Sequence, residues 1–553
     1  MTACNIASFL PQMALQRPDA VAVAVTAGRG PDGKRRYQTS TYAHLDQRSD
    51  QIARGLQAYG LARGTRTVLM VKPSLEFFAL TFGLFKAGIV PVLIDPGLGR
   101  KQLGQCLAEA KPHAFIGIPA AQAARLVLGW GRSTITKVIT VGRRWAWGGT
   151  TLDHIAQLGR DGGPLLESTE PDETAAILFT SGSTGVAKGV VYAHRHFVQQ
   201  VELIRSTYGI EPGEVDLPTF PLFALFDPAL GMTTVVPDMD FTRPASVDPA
   251  MLAELIADWK VTNVFGSPAL LATVVRAHKQ QPQQWSTVRR VISAGAPVPT
   301  AVLAGMTEIL PTGAEVVTPY GATECLPVAS IGSKEVLADT GQKTASGAGV
   351  CVGRVVAPND VRIIAISDSA LPDWSAVTEL PQGEIGEIVV LGPTTTTSYF
   401  GRDNATKLAK IQHPNGLFHR MGDTGWFDAQ GRLWYCGRKS HRVELASGVL
   451  HTAPVEEIFN GHKSLRRTAL VGIGPVGQKQ AVLCLERETG TTQPDAAVVA
   501  ELRALSQQQP GTREVQRFAF HPGFPVDIRH NAKIGREILT VWAEAQAKAG
   551  RLL

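Results

Sequence analysis

The stretch ILFTSGSTGVAKGVVYAHRHF, Ile177 to Phe197, decides the fold. Ile177 to Phe179 reads as a buried strand, and Val190 to Tyr192 as a second. The small-residue loop between them, Thr180 to Gly189, carries one lysine, Lys188. A helical pattern begins only afterwards, with Phe197, Val201, Ile204 and Tyr208 on one face. The order is therefore strand, loop, strand. A Walker phosphate loop is strand, loop, helix and needs G-x-x-x-x-G-K-[ST]. After four intervening residues from Gly182 stands Ala187 rather than glycine, so that spacing fails. Gly182, Gly185 and Gly189 permit close backbone approach to an anion, and Thr180, Ser181, Ser183 and Thr184 add hydroxyl donors. Taken alone, the loop reads equally as a phosphate cradle or a flexible surface hairpin.

Helix and strand alternate outward from the loop. Phe77 to Ile94 has Lys86 in its middle, then Gly88 and Pro91, and reads as a buried helix followed by a buried strand. Asp248 can cap a helix with Pro249 at its first position and Leu252, Leu255, Ile256 and Trp259 on its inner face. Val261 to Phe265 reads as a strand, and Ser267-Pro268 opens another helix. This order predicts an α/β body of mixed and parallel sheets packed with helices. From Gly437 the chain turns polar and basic, then runs on for a small domain's length. In it Thr468 to Ile473 and Ala481 to Leu485 read as strands. Asp495 is expected to cap a helix with Val498, Leu502 and Leu505 inside. The expected organisation is a body over 1–437 and a mobile α+β domain over 438–553, hinged near Ser440. Thr394 to Thr397 reads as a strand or turn.

Composition narrows the function. Apolar content of 44% with 18% charged residues describes a globular chain. The net charge is +6, yet no Lys/Arg block interleaved with aromatics points to nucleic acid. The six cysteines form neither a CxxC pair nor a Cys/His cluster, which excludes a zinc motif and fits a reducing cytoplasm. The start MTACNIASFLPQ lacks the basic and apolar regions of a signal peptide.

Three further stretches carry chemical groups. YGATE, Tyr320 to Glu324, offers an aromatic face, the Thr323 hydroxyl and the Glu324 carboxylate, which could hold Mg²⁺. HRMGDTGWFD sets Asp423 in a Gly-rich turn, and Arg438 follows in CGRKS. A carboxylate can accept both ribose hydroxyls, although a lone Asp in a turn is usually an Asx-turn. NAKIGREIL places Lys533 among apolar neighbours.

Together and in this order, these motifs resemble the adenylate-forming superfamily of acyl-CoA synthetases, amino-acid adenylation domains and luciferases. TSGSTGVAKG is similar to its phosphate loop, LFKAGIVPVLIDP to its early KAG signature and YGATE to its Tyr-Gly-x-Thr-Glu motif. GEIVVLG resembles its GE-x-x-x-x-G strand, GDTGWFD with CGR its ribose-binding pair, and KIGR its C-terminal lysine motif. The resemblance implies ATP as substrate, Mg²⁺ on Glu324, and attack of a carboxylate on the α-phosphate. It further implies that Thr180, Ser181, Gly182, Ser183, Thr184, Gly185 and Lys188 hold the outer phosphates, and that Thr323 contacts the α-phosphate. Ala294, Gly295 and Ala296 would line the adenine pocket with Tyr320, Gly321 and Ala322. Asp423 and Arg438 would hold the ribose, and Lys533 would bridge carboxylate and phosphate as charge builds.

Departures from the pattern bear on the second step. Ala187 replaces the loop proline, Ser440 stands at the hinge, and PLFALFDPALG has Ala224 where acyl-CoA synthetases carry a histidine. Pro221 to Pro249 and the whole-chain layout look most like the β-lactone synthetases of bacterial long-chain olefin biosynthesis. That likeness implies a 2-alkyl-3-hydroxyalkanoic acid whose own hydroxyl displaces AMP, with His194 the candidate base and a packed histidine the plainer reading. It also implies a multi-enzyme assembly with a thiolase, a reductase and a β-lactone decarboxylase. The competing expectations are a medium- or long-chain acyl-CoA synthetase or fatty acyl-AMP ligase, and a non-catalytic adenylate-binding scaffold.

Overall fold

Two apolar strand sets organise the body. The computed structural model describes residues 4–95, 97–180, 187–526 and 534–553. In one sheet the strands Thr150–Thr151, Lys137–Thr140, Ala114–Gly117, Arg66–Met70, Val90–Ile94 and Thr174–Thr180 lie side by side in parallel. Lys188–Ala193 then pairs antiparallel with Thr174–Thr180. The strand–loop–strand reading of the opening stretch is thus a hairpin at this sheet's edge, followed by the helix His194–Tyr208. Residues 181–186 of the loop lie outside the described residues.

A second, 14-stranded sheet is parallel through its centre. There Val21–Arg29, Thr233–Val236, Val215–Pro218, Asn263–Phe265, Arg290–Ile292 and Glu315–Ala322 follow one another. From Cys325–Gly332 it continues antiparallel through Val350–Val355, Arg432–Arg438, Gly416–Phe427 and Gly386–Leu391. Burial of the central strands fits their short apolar cores, such as Val235–Val236, Val264–Phe265 and Val291–Ile292.

The local signals act as read. Asp248 accepts from the Ala250 amide and Ser267 from the Leu270 amide, capping the helices Pro249–Trp259 and Pro268–Gln280. The intervening strand begins at Asn263 rather than Val261, because Val261 closes the preceding turn through a bond to the Ile256 carbonyl. Leu75–Lys86 is a helix and Val90–Ile94 a strand. Lys86, almost wholly buried, survives there by donating to Asp46 at 2.6 Å and Asp50 at 2.7 Å.

The smaller C-terminal sheet joins Leu465–Ile473, Gln480–Arg487 and Arg517–Phe520. Helices Thr452–Asn460, Asp495–Gln508 and Arg536–Lys548 accompany it. Val455, Phe459, Leu470, Leu483, Val498 and Phe518 form a core of its own. One expectation is corrected here. Asp495 is the first helical residue, not the cap. Its carboxylate is paired to Arg487, and Pro494 occupies the cap position. The run Thr394 to Thr397 forms no strand, and Thr394, Thr395 and Thr396 are buried in a turn and the irregular segment after it.

Candidate active site

One cleft of about 1570 Å³ collects most of the sequence-marked residues. Lys188, Ala294, Gly295, Ala296, Tyr320, Gly321, Ala322, Thr323, Glu324, Asp423 and Arg438 all line it. They come from the edge hairpin, the turn after Arg290–Ile292, the tip of Glu315–Ala322 and two antiparallel strands of the large sheet. Of the expected set, Ser181, Gly182, Ser183, Thr184, Gly185 and Lys533 lie outside the described residues, as does the side chain of Thr180. Ile534, next after Lys533, lines the cleft.

The Asp423–Arg438 pair is built by strand register. Asp423 and Arg438 face each other across Gly416–Phe427 and Arg432–Arg438, with Arg438 Nη1 2.9 Å from Asp423 Oδ1. Tyr320 Oη donates to Asp423 Oδ2 at 2.7 Å. Burial pushes the Asp423 carboxyl up, and Arg438 and the Tyr320 hydroxyl pull it back down. An ionised carboxylate offers about four acceptor directions, so one hydrogen bond from Tyr320 and an ion pair with Arg438 leave room for hydroxyls from a ligand.

Glu324 sits in a second network. Tyr399 Oη donates to Glu324 Oε1 at 2.5 Å, and Lys188 Nζ stands 4.8 Å from the centre of the Tyr399 ring. The segment holding Tyr399 is strapped at both ends. Thr396 N and Oγ1 donate to the Glu324 carbonyl at 2.9 and 3.1 Å. Phe400 N donates to the Gly189 carbonyl at 2.8 Å and Val191 N to that of Ser398 at 3.1 Å. Buried Lys410 donates to the Thr396 carbonyl, and burial lowers its pKa to about 8 against the pull of Glu324. Tyr192 Oη donates to the Thr323 carbonyl. Tyr399 and Lys410 lie in no short motif, and the sequence marks Tyr192 only as the end of the strand after the loop.

Away from these polar groups the cleft is aromatic. Eight of the chain's 20 phenylalanines line it, including Phe85, Phe197, Phe220, Phe223, Phe226 and Phe265. Phe223 stacks on Phe265 at 3.9 Å between ring centres, and Phe197 on Tyr192 at 4.6 Å. Parts of Pro221 to Met232 and of Val264 to Pro268, among them Leu222, Phe223, Leu225, Phe226 and Phe265, thus form apolar walls of the cleft. Ala224 is not on the cleft surface; it is buried in the core behind the wall, because the turn Pro221–Ala224 points Leu222 and Phe223 into the cleft instead.

At His194 the structure fits the plainer reading, a packed histidine. It is buried at the start of His194–Tyr208, its Nδ1 accepts from the Ile6 amide at 3.2 Å, and its ring meets Phe85 edge-on. Burial lowers its pKa to about 4. It stands behind Ile6 and Phe85, which form the cleft surface, and does not line the cleft itself.

Lys188 at the foot of the loop, the Glu324 carboxylate, a strand-paired Asp and Arg, and an aromatic arm share one cleft. The chain belongs to the AMP-binding enzyme family, whose model matches residues 10–400. It is 55% identical over 552 residues to an olefin beta-lactone synthetase of Xanthomonas campestris pv. campestris, covering 99% of this chain and 98% of that protein. The olefin beta-lactone synthetase of Stenotrophomonas maltophilia is also 55% identical, over 98% of each chain. Among solved structures, the amide bond synthetase McbA of Marinactinospora thermotolerans superposes with a TM-score of 0.79 at 22% identity, covering 97% of this chain and 99% of that one. At that identity it attests the fold alone.

Proposed function

We propose that this protein activates a 2-alkyl-3-hydroxyalkanoic acid with ATP and closes it to a β-lactone, releasing AMP and pyrophosphate, in long-chain olefin biosynthesis. The carrying observation is the joining of a nucleotide end and an aromatic arm in one cleft, on a chain 55% identical to olefin beta-lactone synthetases over nearly its full length. The chain is an AMP-forming ligase. A cleft of about 1570 Å³ exceeds the roughly 300–1,000 Å³ of a site for one drug-sized ligand, as a nucleotide plus a branched long-chain acid requires.

In the first step the acid's oxygen attacks the α-phosphorus and the bond to the β-phosphate oxygen breaks. Lys188 and the loop before it hold the outer phosphates, Thr323 the α-phosphate, Tyr320 and Ala294 to Ala296 the adenine, and Asp423 with Arg438 the ribose. Lys533 stabilises the charge that builds between carboxylate and phosphate. Glu324 fits Mg²⁺: one carboxylate oxygen is held by Tyr399, and among the described residues no Lys or Arg nitrogen lies within 4 Å of it. Among the described residues no cluster of three His, Cys, Asp or Glu could hold a metal, so Glu324 acts alone, as suits an ion bound largely through phosphates and water. When bound, Mg²⁺ neutralises phosphate charge.

In the second step the substrate's β-hydroxyl oxygen attacks the acyl carbon. The acyl–oxygen bond to AMP breaks, and the hydroxyl proton is lost. Tethering and orientation supply the effective molarity that a strained ring demands, and the phenylalanine-lined arm keeps water from competing. The second step rests on the identity to the synthetases rather than on Ala224, which lies outside the cleft. Residues 438–553 act as a domain that turns about the short helix Lys439–His441, whose Lys439 and His441 line the cleft. The protein works in the cytoplasm beside a thiolase, a reductase and a β-lactone decarboxylase, which co-purification tests.

The deciding incubation is the enzyme with ATP, Mg²⁺ and a 2-alkyl-3-hydroxy acid, with and without coenzyme A, read by mass spectrometry. The lactone, lighter than the acid by one water, is expected in equal amount to AMP without coenzyme A. AMP release that requires coenzyme A removes the lactone reading.

A further inference from the structure

The chain's charge is concentrated in one place. Residues 97–163 hold nine Lys and Arg against three Asp and Glu, a net +6. The remainder of the 54 basic and 48 acidic residues balances at 45 of each, so this lobe carries the whole net charge. None of the nine cations has a carboxylate oxygen within 4 Å among the described residues. Two of the three acids are engaged elsewhere, Glu109 by Arg402 and Asp153 by Arg48.

The topology gathers part of this charge on one rim. The edge strands Ala114–Gly117, Lys137–Thr140 and Thr150–Thr151 are parallel. Bonds from His113 N to the Arg66 carbonyl and from Thr136 N to the His113 carbonyl, both 2.9 Å, set the N-terminal ends of Arg66–Met70, Ala114–Gly117 and Lys137–Thr140 level, and Thr150 joins opposite Ile139. Helices Arg100–Ala110, Pro119–Val127 and Leu152–Leu158 each run back to that end. They deliver Lys111, Arg132 and Arg160 to it, all exposed. They also deliver three consecutive exposed aliphatic residues, Leu126, Val127 and Leu128 at 47%, 84% and 43%, with Leu158 at 45%. Scattered exposed apolar residues are ordinary; a run of three beside unpaired cations is not.

We propose that this rim seats the protein on an anionic lipid surface. The aliphatic run needs an apolar sink and the cations need fixed negative charge, and a bilayer bearing anionic headgroups supplies both within one layer. A nucleic acid supplies phosphates but no place for Leu126, Val127 and Leu128. The rim lies at the N-terminal ends of the strands, whereas the phosphate-loop hairpin turns at the opposite end of the same sheet, so docking leaves the nucleotide loop free. The inference goes beyond the lactone reading and needs no turnover to be tested.

The test is co-sedimentation with vesicles of phosphatidylcholine alone and of phosphatidylcholine mixed with phosphatidylglycerol, at low and high salt. Binding to the mixed vesicles alone, reduced by salt, is expected. Each rim cation is worth roughly five-fold in partitioning, so Arg132→Ala with Arg160→Ala weakens binding about 25-fold. Val127→Asp weakens it as well. Val476→Asp, equally exposed at 81% but in the C-terminal domain, leaves it unchanged. Equal binding to both vesicles, no binding to the mixed ones, or the same loss in the Val476 variant overturns the proposal. So does loss of a soluble acidic partner by the rim variants with vesicle binding intact. Lactone formation in detergent, measured on the same samples, reports on the activity separately.

Discussion

Removing one hydroxyl tests how the carboxylate proposed to hold Mg²⁺ is aimed. Tyr399→Phe keeps the ring beneath Lys188 and the backbone strap from Thr396 to Phe400, and deletes only the donor to Glu324 Oε1. A hydrogen bond to an ionised acceptor contributes about 1.5–3 kcal/mol. At about 1.4 kcal/mol per decade, loss of the aim it imposes weakens cation binding roughly ten- to 150-fold. The assay is Mn²⁺ titration in the presence of a non-hydrolysable ATP analogue, followed by electron paramagnetic resonance, with urea unfolding alongside. A purely structural bond would lower the urea midpoint and leave the Mn²⁺ curve of the folded protein where it was. A weakened Mn²⁺ curve is expected, with nucleotide binding in the absence of metal little changed. An unchanged Mn²⁺ curve in a folded Tyr399→Phe protein refutes the reasoning.

Three further outcomes are expected. His194→Asn should keep lactone formation, because the histidine stands behind the cleft wall and an amide oxygen can still accept from Ile6. Its folded pKa near 4 lies below the ordinary 6.5, so the unfolded chain takes up a proton that the folded chain refuses, and stability falls as pH drops from 6.5 to 4. The variant should lose part of that slope in urea titrations. Asp216 and Asp227 show the opposite sign. Burial raises Asp216 to about 7 and Asp227 well above its usual value, so the folded state keeps protons the unfolded state has lost, and stability falls by up to roughly 1.4 kcal/mol per pH unit for each proton kept as pH rises from 4 to 7. Asp227→Asn should flatten that fall, measured as the thermal midpoint at pH 8 relative to pH 5. Ala224→His should cost about 1–3 kcal/mol by overpacking and yield no coenzyme A thioester by mass spectrometry, since position 224 is not on the cleft.

What could be read from the residues was whatever local chemistry dictates. The hairpin around the loop follows from two apolar runs either side of a small-residue loop. The caps at Asp248 and Ser267 follow from side chains that bond amides two or three residues on. Asp495 has the same composition signal, but a cap competes with an ion pair across space, and Arg487 from the neighbouring strand took the carboxylate. The site divides along the same line. Asp423 and Arg438 sit in recognisable motifs, whereas what unites them is a register between antiparallel strands that no local pattern encodes. Tyr399 and Lys410 were silent because their partners are 75 and 14 residues away along the chain.

The strap from Thr396 to Phe400 ties these distant pieces into one device. It bonds the carbonyl of Glu324 at one end and the strand leaving the phosphate loop at the other, and its tyrosine touches both the carboxylate and Lys188. A displacement of Gly189 or Val191 would therefore reach Glu324 through covalent backbone and five hydrogen bonds. Lys410 holds the strap from beneath with a charge that burial has made easy to lose, since its pKa lies near 8. Metal binding and phosphate binding should then be coupled through this segment. Lys410→Met, which keeps the length and drops the bond to Thr396, should weaken that coupling while sparing the affinity for AMP, which has no outer phosphates to report. Equal weakening of AMP and of the metal–triphosphate complex would mean the lysine merely supports the fold.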